Sequence, residues 1–156
     1  MLTIYIISTV FLTMFLSQSV KYVGKLVKGK RFSTKHLVFT YLWASGAPST
    51  HTSIMFSTLT QMILFFGLDN PVVLVTLLFM SYEIYRILNQ RKGYEAFETL
   101  FGKILDQQAN EKDFYKLKDM LGHSIFDTVM GALLGTFIGV VAYHYYGYSV
   151  KPSITN

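Results

Sequence analysis

HLVFTYLWASGAPSTHTSIMFSTLTQMILFFGL, residues 36–68, holds no Asp, Glu, Lys or Arg in 33 positions. Such a run does not suit a water-facing surface, and a bilayer core of about 30 Å is crossed by about 20 helical residues rising about 1.5 Å each. It is too long for one ordinary span and too short for two spans with a connection. Its middle, S-G-A-P-S-T-H at 45–51, contains Gly46 and Pro48 and should break a helix. The run therefore divides into a short piece at 36–44 and a full span at about 52–68. Nine helical residues cover only about 14 Å, so 36–44 is expected to be re-entrant or interfacial, with Trp43 at the membrane surface. Non-helical backbone at 45–51 is tolerated at membrane depth only where protein covers it or a wet cavity adjoins it. That requirement marks the loop as a candidate site.

Outward from this run, the rest of the chain repeats the pattern. Residues 1–20 and 70–82 are uncharged, and 120–150 carry only Asp127, in a chain of 156 residues that is 51% apolar and 15% charged. Leu2 to Val20 lacks the basic start and small-residue exit of a signal peptide, so it reads as a retained anchor. Lys21, Lys25, Lys28, Lys30, Arg31 and Lys35 follow with no acidic residue between them. By the positive-inside tendency that loop is cytoplasmic and the N-terminus outside. G-L-D-N-P at 67–71 predicts a turn, with Pro71 opening a third span to about Leu88. Residues 86–120 hold seven basic and six acidic side chains, with Phe97, Leu100, Phe101, Ile104 and Leu105 at helical spacing. They read as an amphipathic helix or hairpin lying partly on the surface. A last span runs from about Leu121 to Tyr146, with Tyr143, Tyr145, Tyr146 and Tyr148 as an aromatic belt.

The expected fold is thus all-α: a polytopic membrane helical bundle of about four transmembrane helices, a short re-entrant or interfacial helix and a cytoplasmic amphipathic segment. Residues 1–150 form one integral-membrane domain and 151–156 a short polar tail. Counting crossings puts 21–51, 86–122 and the base of the last helix on the cytoplasmic side. The absence of cysteine excludes disulfides and thiolate chemistry. The net charge of +5 comes from loops flanking the membrane, which argues against nucleic acid as a partner.

Three segments carry chemistry that apolar spans do not need. In S-G-A-P-S-T-H, Gly46 permits close backbone approach, Ser49 and Thr50 offer hydroxyls, and His51 can move a proton. Such a loop entering a helix can present amides to an anion. An ordinary helix cap with an interfacial His accounts for the same string. In L-G-H-S-I-F-D at 121–127, His123 and Asp127 are four apart on one helical face, a spacing at which a carboxylate can orient an imidazole. The bland alternative is a solvated pair at a helix start. The basic set Arg86, Arg91, Lys92, Lys116 and Lys118 lies beside the same face and can neutralise a phosphate, although anionic lipid explains a juxtamembrane Lys equally. Glu83 either pairs with Arg86 or faces the cavity. Four His and scattered acids give no metal-ligand spacing, and no Gly-rich nucleotide loop is present.

With P-S-T-H and H-x-x-x-D in that order, the sequence resembles the type 2 phosphatidic acid phosphatase and vanadium haloperoxidase superfamily. It looks most like its short divergent branch, whose members show S-x-G-G-M-P-S-S-H-S, D-x-x-G-V-R-R and L-K-E-L-L-G-H. The counterparts here are S-G-A-P-S-T-H at 45–51, Q-R-K at 90–92 and L-K-D-M-L-G-H-S-I-F-D at 117–127. S-Q-S-V-K at 17–21 also resembles the family's first-helix ending, and G-A-L-L-G at 131–135 its final span. The departures are S-G-A for G-G-M, Lys92 for the second Arg, and Arg86 where the family has Asp. The superfamily's K-x-x-x-x-x-x-R-P motif is missing, which leaves Lys118 as a conditional substitute.

The resemblance implies hydrolysis of a lipid phosphate or diphosphate with no metal or other cofactor. His123 would attack phosphorus to form a phosphohistidine, Asp127 would orient that imidazole, and His51 would protonate the leaving alkoxide. Arg91, Lys92, Ser49, the Gly46 amide and Lys118 would bind the phosphoryl oxygens. The implied setting is the plasma membrane with the site facing the cytoplasm, membrane lipids around it, and a homodimer as a possible assembly. The competing reading is a weak or inactive relative that binds anionic lipid or scaffolds a membrane complex. A vanadate-dependent haloperoxidase resembles the chain through the site alone.

Overall fold

The first uncharged stretch and the lysines after it form one helix, α1 (Leu2–Val27), with polar or amphipathic residues at every fourth position: Tyr5, Thr9, Thr13, Ser17 and Lys21. In a helix these positions share a face, and all five are buried while Ile4, Ile7, Phe11 and Phe15 are exposed. That inversion suits a bilayer. Lipid tails are as apolar as Leu, so burying Leu against another helix gains little, and close packing with interhelical hydrogen bonds supplies the attraction. The computed structural model describes the backbone of residues 2–27, 46–105 and 124–150, and their side chains except 91–92, 94–96, 98–105 and 146–150. The expected re-entrant piece at 36–44 and the segment at 106–123 lie outside the described residues.

After α1 come α2 (Thr50–Phe66), α3 (Pro71–Leu105) and α4 (Ile125–Val150). The described residues are helical apart from short connections, in agreement with an all-α fold, and contain no strand. Among the described residues, three of the four helices are long and apolar enough to cross a membrane, as in an integral membrane protein. The exception, α2, has 17 residues and so reaches about 25 Å. It is the central helix, against which α1, α3 and α4 all pack.

Helix ends follow local chemistry. The Ser49 hydroxyl caps α2 by accepting from the Thr52 amide at 3.4 Å, and Gly67, with φ of 81°, ends it by donating to the Ile63 carbonyl at 2.9 Å. The expected turn at 67–71 is present, and Pro71 is the first residue of α3. The Asn70 side chain accepts from the Val72 amide at 2.9 Å. Two boundaries run past their expected positions. Helix α1 continues beyond Val20 to Val27, and α3 continues beyond Leu88 to Leu105, absorbing the start of the amphipathic segment. Neither extension contains proline, and an isolated glycine such as Gly93 costs a helix only about 1 kcal/mol.

Two kinds of seam hold the bundle. α1 runs antiparallel to α2 along a polar column. Thr9 accepts from Gln61 Nε2 at 2.9 Å, Thr13 donates to Ser57 at 3.1 Å, and Lys21 donates to Thr50 at 2.8 Å. The Tyr5 hydroxyl donates to the Ala142 carbonyl of α4. α2 and α4 run parallel, with Gly131, Gly135 and Gly139 facing Ser49, Ser53 and Ser57. A Cβ at Gly131 would lie 2.6 Å from the Ser49 carbonyl oxygen, one at Gly139 2.8 Å from that of Ser57, and one at Gly135 would collide with the Ser53 backbone. Helix α3 instead meets α2 through an apolar patch of Leu59, Val73 and Met80 flanked by Met55, Phe56 and Leu77.

Candidate functional site

The loop at 46–49 enters α2 with Gly46 at φ 107°, a region L-residues rarely adopt. Pro48 and Ser49 are buried. The Ser49 amide donates to the Asp127 carbonyl at 2.8 Å. That one bond ties the loop carrying P-S-T-H to the first turn of α4, although the two lie far apart along the chain. Ser49 is also committed to α2: its hydroxyl accepts from the Thr52 amide and from the Thr52 hydroxyl at 3.1 Å. Its carbonyl accepts from the Ser53 amide at 2.9 Å and the Ser53 hydroxyl at 2.8 Å.

Asp127 sits in a reciprocal cap at the start of α4. Its Oδ2 accepts from the Ser124 amide at 2.9 Å, while the Ser124 hydroxyl accepts from the Asp127 amide at 3.0 Å. Two orphan donors of the helix start are thereby satisfied. The carboxylate is half-buried at the helix end rather than sunk in the span, which limits the cost of an intramembrane charge.

His51, in the first turn of α2, is exposed. Lys21, Arg86 and Glu83 lie within electrostatic reach of it, and Asp127 lies within reach of Lys21. Arg86 forms an ion pair with Glu83, with Nη2 2.6 Å and Nε 3.0 Å from Oε2. Of the two expectations for Glu83, pairing is therefore the one observed. Lys21, His51, the Glu83–Arg86 pair and Asp127 gather at one end of the bundle, where α1 finishes and both α2 and α4 begin.

Of the site residues expected from the sequence, Ser49 and Asp127 are hydrogen-bonded here, with Gly46 in the loop before Ser49 and His51 in the helical turn after it. His123 and Lys118 lie outside the described residues. Arg91 and Lys92 belong to α3, but their side chains are not among those described. Sequence reasoning missed Lys21, counting it among the loop cations. The signal was available, since Lys21 ends the four-residue repeat of Tyr5, Thr9, Thr13 and Ser17. It likewise missed that Gly131, Gly135 and Gly139 match the spacing of Ser49, Ser53 and Ser57.

Comparison with known proteins adds one finding. The family model described as Divergent PAP2 family matches residues 3–138. No curated protein and no solved structure matches the chain.

Proposed function

As this chain belongs to the divergent PAP2 family, we propose that it is a membrane-embedded phosphatase acting on a lipid phosphate or diphosphate through a phosphohistidine intermediate. The observation that carries this reading is the Ser49–Asp127 backbone bond, which fastens the loop before His51 to the helix start just after His123. A site at the end of the bundle leaves the lipid's acyl chains in the bilayer while the phosphate reaches polar groups.

In the proposed reaction an imidazole nitrogen of His123 attacks phosphorus, and the bond to the ester oxygen breaks. His51, as imidazolium, gives its proton to the departing alkoxide. Water then attacks the phosphohistidine, His51 takes a proton from that water, and phosphate leaves as the His123 nitrogen recovers its electron pair. Phosphoryl transfer depends chiefly on positioning and on neutralising charge at the equatorial oxygens. Arg91, Lys92, Lys118 and the Gly46 amide are assigned that second task, and Ser49 a largely structural one. A proton donor for the leaving group contributes about 10²–10⁴-fold. The proposed setting is the plasma membrane with the site facing the cytoplasm, and a homodimer is the proposed assembly.

The test is phosphate release from a panel of lipid phosphates in detergent micelles with chelator present. The native chain should turn over at least one substrate, and His123→Ala should abolish that turnover. Equal turnover by the variant removes His123 as nucleophile. A second reading, a binding protein without turnover, is favoured by the Glu83–Arg86 ion pair and by the use of Asp127 Oδ2 as a cap. It would be supported by absence of turnover on every substrate.

A further inference from the structure

Helix α3 carries a carboxylate and a guanidinium inside Pro71–Gln90, the stretch that is otherwise apolar enough to cross a membrane. Charges within a span are costly, and they mark functional positions by default. Glu83 lies about two turns short of Gln90, and its side chain is 19% exposed against 47% for Arg86. An arginine near the end of a span can extend toward water. Arg86 instead reaches back one turn, with Nε 3.0 Å and Nη2 2.6 Å from a single oxygen, Glu83 Oε2. Stability is a weak reason for such a pair, since exposed ion pairs contribute little and buried ones are often matched by apolar residues. What the pair does achieve is orientation. Among the described residues its bonds engage Nε and Nη2, which leaves both hydrogens of Nη1 for a further acceptor.

The pair is level with His51. The Thr76 hydroxyl donates to the Met62 sulfur at 3.6 Å, which sets the register of α3 against α2. From that contact His51 lies about three turns toward the start of α2, and Arg86 about three turns toward the end of α3. Both side chains are exposed at this end of the bundle, and Arg86 and Glu83 both act on His51 electrostatically. We propose that Arg86 binds the inner phosphate of a lipid diphosphate, the phosphate that departs with the lipid, and that Glu83 holds the guanidinium for it. This rests on the phosphatase reading, in which His51 serves the leaving group. When a monophosphate ester is cleaved, the leaving group is an alkoxide, which takes one proton from His51 and offers no second oxygen to a planar fork. When a diphosphate ester is cleaved, the His123 nitrogen attacks the terminal phosphorus and the bond to the bridging oxygen breaks. The lipid monophosphate leaves with that electron pair and with the proton from His51. Its oxygens gain charge beside His51, and a guanidinium meets such charge with paired N–H donors. The terminal phosphate stays with the groups already assigned to it.

The test is binding of radiolabelled inorganic diphosphate, and separately of inorganic phosphate, to the full chain in detergent micelles, followed by turnover of an alkyl diphosphate and the matching alkyl monophosphate. The native chain should bind diphosphate more tightly than phosphate. Arg86→Gln should lower that ratio by about tenfold or more, the scale of a lost hydrogen bond to a charged group. Arg86→Lys, which keeps the charge and loses the fork, should recover only part of it. Glu83→Gln, which frees the guanidinium without removing it, should lower the ratio less than Arg86→Gln does and covers the case in which Arg86→Gln fails to fold. An unchanged ratio in a folded Arg86→Gln or in Glu83→Gln, equal loss on both ligands, or no diphosphate binding by the native chain overturns the proposal. Hydrolysis of the monophosphate, with Arg86→Gln changing kcat/KM for both esters alike, leaves the phosphatase reading standing while this assignment falls. Diphosphate binding that depends on Arg86, in a chain that hydrolyses neither ester, does the reverse.

Discussion

The α2–α4 seam and the α2–α3 seam share one helix and are built on opposite principles. Along the first, three glycines of α4 let the backbone of α2 approach so closely that no Cβ fits, and the facing residues are serines and threonines. Along the second, Leu59, Val73 and Met80 meet as they would in a soluble core. Water strengthens the second kind of contact and lipid does not. The difference shows why the site lies where it does. The close-packed α2–α4 seam joins Ser49 to Asp127, while the apolar seam holds α3 to the bundle and leaves Val75, Phe79 and Tyr82 exposed.

The sharpest way to break this contrast is to change one residue at each seam's critical place. Gly135→Ala drives a Cβ into the Ser53 backbone, which cannot move without parting the helices, and should cost about 3 kcal/mol, at the upper end for overpacking. Reversible unfolding in mixed micelles would measure it. Met80→Ala, which removes far more volume from the apolar seam, should cost less than about 2 kcal/mol, below the usual soluble-core range, because lipid replaces the lost contacts. A larger loss from Met80→Ala than from Gly135→Ala would reverse the ranking and discard the contrast. At the helix start, Ser124→Ala removes half of the reciprocal cap and should cost about 1 kcal/mol. It should also lower turnover by displacing Asp127, and the same preparation can be assayed for both. The smallest effect is expected from Thr13→Val, which deletes one interhelical hydrogen bond to Ser57 and should cost about 0.6 kcal/mol.

Much of the helical plan could be read before any coordinates, because uncharged runs and the G-L-D-N-P turn are strong signals in a membrane chain. The ends of α1 and α3 were harder to read, since charge marks the end of a hydrophobic slab and not the end of a helix. The backbone bond that ties Ser49 to Asp127 at the start of α4 has no side-chain signature in the sequence. Asp127 illustrates a signal read too narrowly. H-x-x-x-D drew attention to the imidazole four residues earlier, while S-x-x-D at 124–127, an equally visible cap pattern, describes what the carboxylate does here. Lys21 was read as a loop cation and as the end of the S-Q-S-V-K resemblance, although its place in the four-residue repeat gave the direction it faces.

The central claim is that residues 51 and 123 flank one anion pocket at one end of the bundle. The chain contains no cysteine, so nitroxide labels on His51→Cys and His123→Cys report a single unambiguous pair by pulsed electron resonance. A single distance distribution centred well below the bilayer core's thickness of about 30 Å is the predicted result. A distribution centred at or beyond that thickness would place the two imidazoles on opposite faces and contradict the account.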